Sequence, residues 1–455
     1  ALSTKDGEDI PILLINAGAK IENHGDNTSY LKEAVANGNL KLTKTLIEHG
    51  ADVNEKTDGT RAIDMLVQLM SPENENTSRK IMNYLIEKGA VVDASTMKHV
   101  LGNSWRYLYA DDVLEIIKKT NQKSGISKLL EASIKGDNKY LQNNFTHSEK
   151  KKNEEEEILS FASSNCSLQT IQKLKKEGGN FKIQDLNLMT PVHIAALCND
   201  LDVLKYFIEQ KINGNPVEAE IISMGAVEYA ALSGNRQKYE TCMNSKIKQV
   251  KGEGNNIWKI IGMFGTKKSL ELIARYKKPS QNDIETMYSD DNEALKKDMI
   301  VLGYLPKNIT YEMLSEKEIP LIEQLYNKGV FISQEAMNRL IELEENELVK
   351  KSFQKNFKKY DTTTLLYHAV DSGNLEMVKE LVRYDKQSVN KYVEPDEEEK
   401  KMTPFQGAAS SLSTNVLKYL MKHGGDLKSK DEEGQTPYEI AKSNELEENM
   451  KILKR

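Results

Sequence analysis

Cysteine is scarce in this chain, with three residues among 455. Three thiols cannot form a disulfide framework, and no two of them show the Cys-x-x-Cys spacing of a structural zinc site. Cys166, Cys198 and Cys242 are therefore expected to be structural thiols in a reducing compartment. The cytoplasm is the expected location, with export from the cell as the alternative, and no metal ion is expected.

Long apolar runs are also missing. The longest one, residues 10–15, contains six residues including Pro11, whereas a membrane-spanning helix needs about 20. With 63 Lys and Arg against 69 Asp and Glu, the net charge is −6, and nucleic-acid-binding proteins are normally basic. The sequence thus predicts neither membrane insertion nor a nucleic-acid partner.

The motifs of common catalytic and nucleotide-binding sites do not occur. There is no Gly-x-x-x-x-Gly-Lys-Ser/Thr, His-Glu-x-x-His or Gly-x-Ser-x-Gly sequence. Gly252-Glu253-Gly254 lacks a third glycine and is typical of a flexible loop. We therefore expect no catalytic residues and no cofactor.

Short signatures recur along the chain. A Gly-Asn or Gly-Asp step follows an apolar helix at Gly38, Gly136, Gly234 and Gly373, and the first three of these glycines follow one another at intervals of 98 residues. That distance is close to three units of about 33 residues. A second signature ends a helix with glycine, often followed by alanine, at Gly18, Gly50, Gly89, Gly329 and Gly424. A third begins a helix with Thr-Pro, at Thr190, Thr403 and Thr436.

Each signature has a physical reason. Glycine accepts the left-handed backbone that closes a helix, which a Cβ atom disfavours. Threonine caps a helix through its hydroxyl group, and proline suits the first turn, where no amide donor is needed. The signatures therefore predict repeated pairs of short helices.

Together the signatures resemble the ankyrin repeat. The resemblance implies an all-α fold, a solenoid of stacked antiparallel helix pairs with finger loops in a curved array of ten to fourteen units. It is most specific at residues 185–213 and good at 23–54. Further units are expected at 55–93, 361–384, 402–430 and 431–453, and fainter ones at 94–120, 125–145, 158–181 and 226–243.

The chain is expected to fall into three regions. Residues 1–251 are expected to hold ankyrin repeats, the first incomplete, and 361–455 to hold C-terminal repeats with a polar capping helix. The sequence of residues 252–360 predicts helix pairs that lack the Thr-Pro signature. They are either degenerate repeats or a different helical insert, and an insert could hide an enzyme with a pocket.

The first residues fit the register of a repeat that has already begun. We therefore expect the natural protein to extend upstream, with a cleaved signal peptide as the alternative explanation. This expectation motivates a second hypothesis about function: the chain is a regulatory or targeting arm of a larger protein, such as a bacterial effector or toxin, whose active domain lies elsewhere.

The favoured hypothesis is a non-catalytic scaffold, monomeric alone, that binds a protein partner. The resemblance implies contacts from finger loops and from the exposed face of each first helix. In the best-matching repeat these residues are Leu186, Asn187, Met189 and Leu197. In the last repeat they are Glu432, Glu433 and Gln435.

An aromatic cluster, Trp105-Arg106-Tyr107-Leu108-Tyr109, is a further candidate. Tryptophan, tyrosine and arginine are enriched at binding hot spots, so Trp105, Tyr107 and Tyr109 are partner-binding candidates. The alternative, which we favour, is that they fill the core of a degenerate repeat. A basic-to-acidic run at 150–157 and acidic runs at 341–347 and 394–401 are expected to be solvated, or else to contact a basic partner.

Overall fold

A computed structural model describes residues 9–19, 29–72, 74–148, 151–185, 188–216, 223–248, 256–290, 292–314, 318–393 and 401–454. It is 65% helical, with 28 α-helices and almost no strand in the described residues. The predicted all-α repeat fold is confirmed. The chain divides into two compact units, unit 1 (Ala1–Tyr304) and unit 2 (Leu305–Arg455). This division falls inside the predicted region 252–360, and the three-region organisation stays a prediction.

Unit 1 contains nineteen α-helices among its described residues. In chain order they are α1 (Asp9–Asn16), α2 (Tyr30–Ala36), α3 (Leu40–Glu48), α4 (Ala62–Leu69), α5 (Glu75–Glu87), α6 (Ala94–Gly102), α7 (Arg106–Lys119), α8 (Lys128–Ile134), α9 (Asn138–Asn144), α10 (Lys152–Asn165), α11 (Leu168–Lys176), α12 (Pro191–Leu197), α13 (Leu201–Glu209), α14 (Ala226–Leu232), α15 (Arg236–Met243), α16 (Ile257–Phe264), α17 (Lys267–Tyr276), α18 (Gln281–Ser289) and α19 (Glu293–Leu302).

The even-numbered helices of unit 1, from α2 to α18, are the first helices of repeats. α2 contacts α4 and α4 contacts α6, while α8, α10, α12, α14, α16 and α18 contact one another in order. The following odd-numbered helices, from α3 onward, are the second helices. Each pair buries an aliphatic face against its neighbours, which a single pair could not do.

Unit 2 contains nine α-helices, two strands and three 3₁₀ helices among its described residues. The α-helices are α20 (Ile319–Asn327), α21 (Gln334–Glu342), α22 (Asn346–Asn356), α23 (Thr362–Asp371), α24 (Leu375–Tyr384), α25 (Pro404–Ser410), α26 (Thr414–Lys422), α27 (Pro437–Ser443) and α28 (Glu447–Leu453). The other elements are β1 (Asn308–Ile309), β2 (Phe331–Ile332) and the 3₁₀ helices Tyr311–Met313, Phe357–Lys359 and Lys386–Asn390.

The first helices of unit 2 are α21, α23, α25 and α27, which contact one another in order. The second helices α22, α24, α26 and α28 contact one another in the same way. At the start of the unit, β1 pairs in parallel with β2, and a 3₁₀ turn contacts α21 where a first helix would be expected. The region 252–360 is therefore built mainly of helix pairs.

Local sequence explains the helix boundaries. The Asn39 side chain accepts a hydrogen bond from the Leu42 N–H at 2.8 Å, which caps α3. At α25, the Thr403 N–H donates to the Gln406 side chain at 2.9 Å in a capping box. Gly136 has a φ of +65°, and a Cβ there would lie 2.8 Å from the Asn165 carbonyl oxygen. Glycine is therefore required at this step between α8 and α9.

Candidate partner-binding surface

The last finger loop of unit 2 is a tight turn held by Asp431. Its carboxylate accepts hydrogen bonds from the Glu433 N–H at 3.0 Å and the Gln435 N–H at 2.7 Å. The Asp431 N–H donates to the Gln435 carbonyl at 3.0 Å, and Gly434 closes the turn with a φ of +77°. Glu432 and Glu433 are exposed at its tip, whereas Gln435 is half-buried. A fixed backbone therefore presents two carboxylates to solvent.

The finger loop before α12 has the same hydrogen bonds. The Asp185 N–H donates to the Met189 carbonyl at 2.9 Å, and the Asp185 carboxylate accepts from the Met189 N–H at 2.8 Å. Leu188 occupies the position of Gly434, with a φ of +60° and 47% of its surface exposed. A leucine in this left-handed conformation is strained.

The four partner-binding candidates in and after the finger loop before α12 differ in their exposure to solvent. Met189 is only 2% exposed, so its side chain belongs to the core. Leu197 is half-buried at the end of α12. Leu186 and Asn187 lie outside the described residues. The exposed neighbour Leu188 was missed, because the sequence pattern does not show which loop residue takes the left-handed conformation.

The first helices of unit 2 expose short polar side chains in their last turns. Glu342 of α21, Asp371 of α23, Ser410 of α25 and Ser443 of α27 are all exposed. These four helices contact one another in order, so equivalent positions form a row. Glu342 pairs with Arg339 at 3.1 Å, which offsets part of the negative charge. The sequence patterns did not select these residues, although each lies at the end of a first helix, just before the loop to the second helix.

The aromatic cluster of unit 1 is buried. Trp105 is 9% exposed, and its ring lies 5.2 Å from the ring of Phe264 at the end of α16. The Tyr107 ring lies 5.0 Å from that of Phe161 in α10. Tyr109 is buried in the same helix, α7. These three candidates therefore line contacts within unit 1 and offer little free surface to a partner.

Arg106 is fully buried at the centre of this cluster. Its guanidinium Nη2 donates to Glu157 at 3.2 Å and to Asp185 at 3.3 Å. The Tyr107 hydroxyl donates to the same Asp185 carboxylate at 2.5 Å. Burial opposes the charge of Arg106, but the surrounding Tyr107, Glu157 and Asp185 outweigh it and raise its pKa. Burial raises the pKa of Glu157 despite the attraction of Arg106.

His193 has a structural role in the first turn of α12. Its Nδ1 accepts from the Thr190 N–H at 3.0 Å, and its Nε2 donates to the Asn215 carbonyl at 2.9 Å. Burial lowers the pKa of His193 to about 4, so the ring is neutral at pH 7. A neutral ring with both nitrogens engaged in the local turn has no spare group for proton transfer.

The three thiols are not poised for catalysis. Cys166 and Cys242 are buried and Cys198 is partly so. Burial raises the pKa of each to about 12, which disfavours the thiolate that a nucleophile needs. In the described part of the chain, no group of three or more His, Cys, Asp or Glu side chains could hold a metal ion.

The acidic runs differ in their surroundings. Residues 152–157 of the first run lie in α10, where Glu155 is buried and its carboxylate accepts a hydrogen bond from His147 at 2.8 Å. The run at 341–347 covers the step from α21 to α22. Residues 394–400, most of the third run, and the Gly252-Glu253-Gly254 segment lie outside the described residues. None of the helices among the described residues is both long and apolar enough to cross a membrane.

Comparison with protein-family models agrees with the repeated helix pairs of the structure. A model described as ankyrin repeats (3 copies) matches residues 366–454, which cover α24 to α28 and the fixed finger loop at Asp431. A model described as ankyrin repeat matches residues 30–58 and 187–218. This chain contains ankyrin repeats. Ankyrin repeats generally mediate protein–protein interaction and are typically non-catalytic.

No curated protein sequence matches this chain. Among solved structures, the human ASB11 ankyrin repeat domain is 13% identical with a TM-score of 0.22, over 65% of this chain and 95% of that chain. A chain from the complex of the Bd0816 predatory endopeptidase of Bdellovibrio bacteriovorus with immunity protein Bd3460 is 16% identical. Its TM-score is 0.18, over 72% of this chain and 98% of that chain.

Proposed function

We propose that this protein is a non-catalytic scaffold that binds a protein partner through the finger loops and first helices of unit 2. The observation that carries the proposal is the finger loop at Asp431, which holds Glu432 and Glu433 exposed on a hydrogen-bonded turn. A pre-ordered loop loses little conformational entropy on binding.

The chemistry of this surface indicates the class of partner. Glu432 and Glu433 at the finger tip and Asp371 at the end of α23 add carboxylates, whereas Ser410 and Ser443 add hydroxyl groups. Carboxylates and hydroxyls on an exposed surface accept hydrogen bonds from lysine and arginine. The expected partner therefore presents basic side chains, and its association should weaken with salt.

The test compares three full-length baits in lysate of the source organism at about 50 and about 200 mM salt. They are the native chain, Glu432→Lys/Glu433→Lys and the matched control Glu447→Lys/Glu448→Lys. The control makes the same charge change on α28, a second helix of the same repeat. Quantitative mass spectrometry measures the captured proteins.

A protein held by the native and control baits, but lost from the finger variant and at high salt, is the expected result. The proposal is wrong if a folded native bait captures nothing above background, or if the finger variant retains every protein that the native bait captures. Circular dichroism checks that all three baits keep their helical content.

A further inference from the structure

The second helices of unit 2 form a groove that is lined by none of the finger-tip residues. It has a volume of about 550 Å³ and crosses α22, α24 and α26. Neighbouring packed helices lie roughly 8–10 Å apart, so three of them offer a surface long enough for a short extended peptide. The side chains that line it and carry the argument are Lys350, Lys379, Arg383, Lys386, Tyr419 and His423.

The two carboxylates of the groove are already engaged. Glu376 pairs with Lys350 and accepts from Asn346 at 3.4 Å. Glu380 lies 3.7 Å from Arg383 and accepts from Gln354 at 3.4 Å. These partners hold the carboxylates in place and lower the pKa of Glu376.

Positive charge remains after this pairing. Lys379 and Lys386 line the groove and are exposed, and neither forms an ion pair within the described part of the chain. Arg383 is also exposed, and its one carboxylate contact is long. The groove therefore carries a surplus of positive charge in a chain whose net charge is −6.

One end of the groove is a flat aromatic wall. The Tyr419 and His423 rings stack with centroids 3.9 Å apart and an angle of 25° between planes. The His423 Nδ1 donates to the Tyr419 carbonyl at 2.8 Å, which fixes the ring. A carbonyl oxygen only accepts, so Nδ1 carries the proton. The wall gives a peptide backbone or an apolar side chain a surface to pack against.

We propose that this groove binds an acidic segment of a partner protein, with its carboxylates at Lys379, Lys386 and Arg383. A peptide fits better than a nucleic acid because Glu376 and Glu380 lie in the groove. A continuous row of phosphates would meet both carboxylates, whereas a peptide places uncharged residues opposite them. This site is separate from the acidic finger surface and has the opposite charge.

The experiment measures fluorescence anisotropy of a labelled peptide of alternating glutamate and glycine, titrated with the full chain at about 50 mM salt. The variant Lys379→Glu/Lys386→Glu should weaken binding about tenfold or more. The control variant Lys80→Glu/Lys205→Glu makes the same charge change on α5 and α13, where both lysines are exposed. It should stay within about twofold of the native chain.

A second measurement tests the same groove through a gain of binding, so it does not depend on the loss of binding to the glutamate peptide. The Lys379→Glu/Lys386→Glu chain should bind the matching peptide of alternating lysine and glycine more tightly than the native chain does. The proposal is overturned if the glutamate peptide does not bind, if both variants weaken it equally, or if a glutamine–glycine peptide binds as well. It is also overturned if a labelled single-stranded RNA of similar length binds the groove more tightly than the peptide.

Discussion

Single residues explain why some repeats are hard to recognise. Gly373 closes α23 with a φ of +69°, and its N–H donates to the Val370 carbonyl at 3.0 Å. Glu344 and Glu445 close α21 and α27 in the same way, with a φ of +59° each. A residue with a Cβ in this conformation costs about 1 kcal/mol. The backbone therefore keeps the repeat geometry where the glycine signature is lost.

The buried imidazole of His193 gives a pH dependence that belongs to one residue. The unfolded chain takes up this proton near pH 6.5, whereas folded His193 takes it up only near pH 4. Its contribution is fully present above pH 6.5 and is lost as the pH falls toward 4. The free energy of unfolding should therefore fall in this window, by at most about 3 kcal/mol from this group.

Urea denaturation at about pH 7 and about pH 4.5 measures this loss. His193→Gln removes the titrating group, so the difference between the two pH values should shrink relative to the native chain. His49→Gln makes the same substitution at an exposed histidine and is the control for the substitution itself. An identical pH dependence for native and His193→Gln chains would contradict the assignment.

Between elements, buried asparagines join one repeat to the next. Asn199 donates to the Ser163 and Cys166 carbonyls at 2.9 and 3.0 Å, at the end of α10. Asn449 donates to the Ser411 carbonyl at 2.7 Å, just after α25. The last carbonyls of a helix have no partner within it. A side chain of the following repeat therefore completes the hydrogen bonding of the preceding first helix.

Asn199→Ala should lower the free energy of unfolding by about 1–3 kcal/mol, because two carbonyls lose a buried donor. The control is Asn144→Ala, which removes an exposed asparagine bonded only to its own helix at Tyr140. It should cost less than about 0.5 kcal/mol. Chemical denaturation compares the two, and equal effects would show that the link between repeats contributes no stability.

At the scale of the whole chain, α7 ties distant repeats of unit 1 together. Its N-terminal end contacts α10 through Tyr107 and Phe161, and the end of α16 through Trp105 and Phe264. Arg106 reaches Asp185 across 79 residues of sequence. Removing one member of such a buried charge group typically costs about 3–5 kcal/mol. The cluster therefore stabilises the arrangement of repeats within unit 1.

Trp105→Ala should lower the free energy of unfolding by about 3 kcal/mol. The control is Leu108→Ala in the first turn of α7, where the side chain is exposed and the cost should be less than about 1 kcal/mol. In a double-mutant cycle, Trp105→Ala and Phe264→Ala should couple by about 1 kcal/mol. An unchanged melting temperature for Trp105→Ala would restore it as a partner-binding residue.

The repeat fold could be predicted from the sequence because each helix pair depends on its near neighbours. Thr403 and its Gln406 partner begin α25, and Gly373 ends α23, through contacts a few residues apart. Such local contacts require particular residue types at fixed spacings, which recur as short motifs along the sequence. The same signals placed Glu432 and Glu433 at a finger tip, where they are exposed.

Whether the other candidate residues are buried or exposed depends on contacts between residues far apart in sequence. No local pattern shows that Trp105 meets Phe264, that Arg106 meets Asp185, or that Met189 turns inward. No local pattern shows the basic groove of unit 2 either, because its side chains come together only when α22, α24 and α26 lie side by side. Burial and charge at such places follow from how successive repeats stack, because small rotations between neighbours add up along the chain.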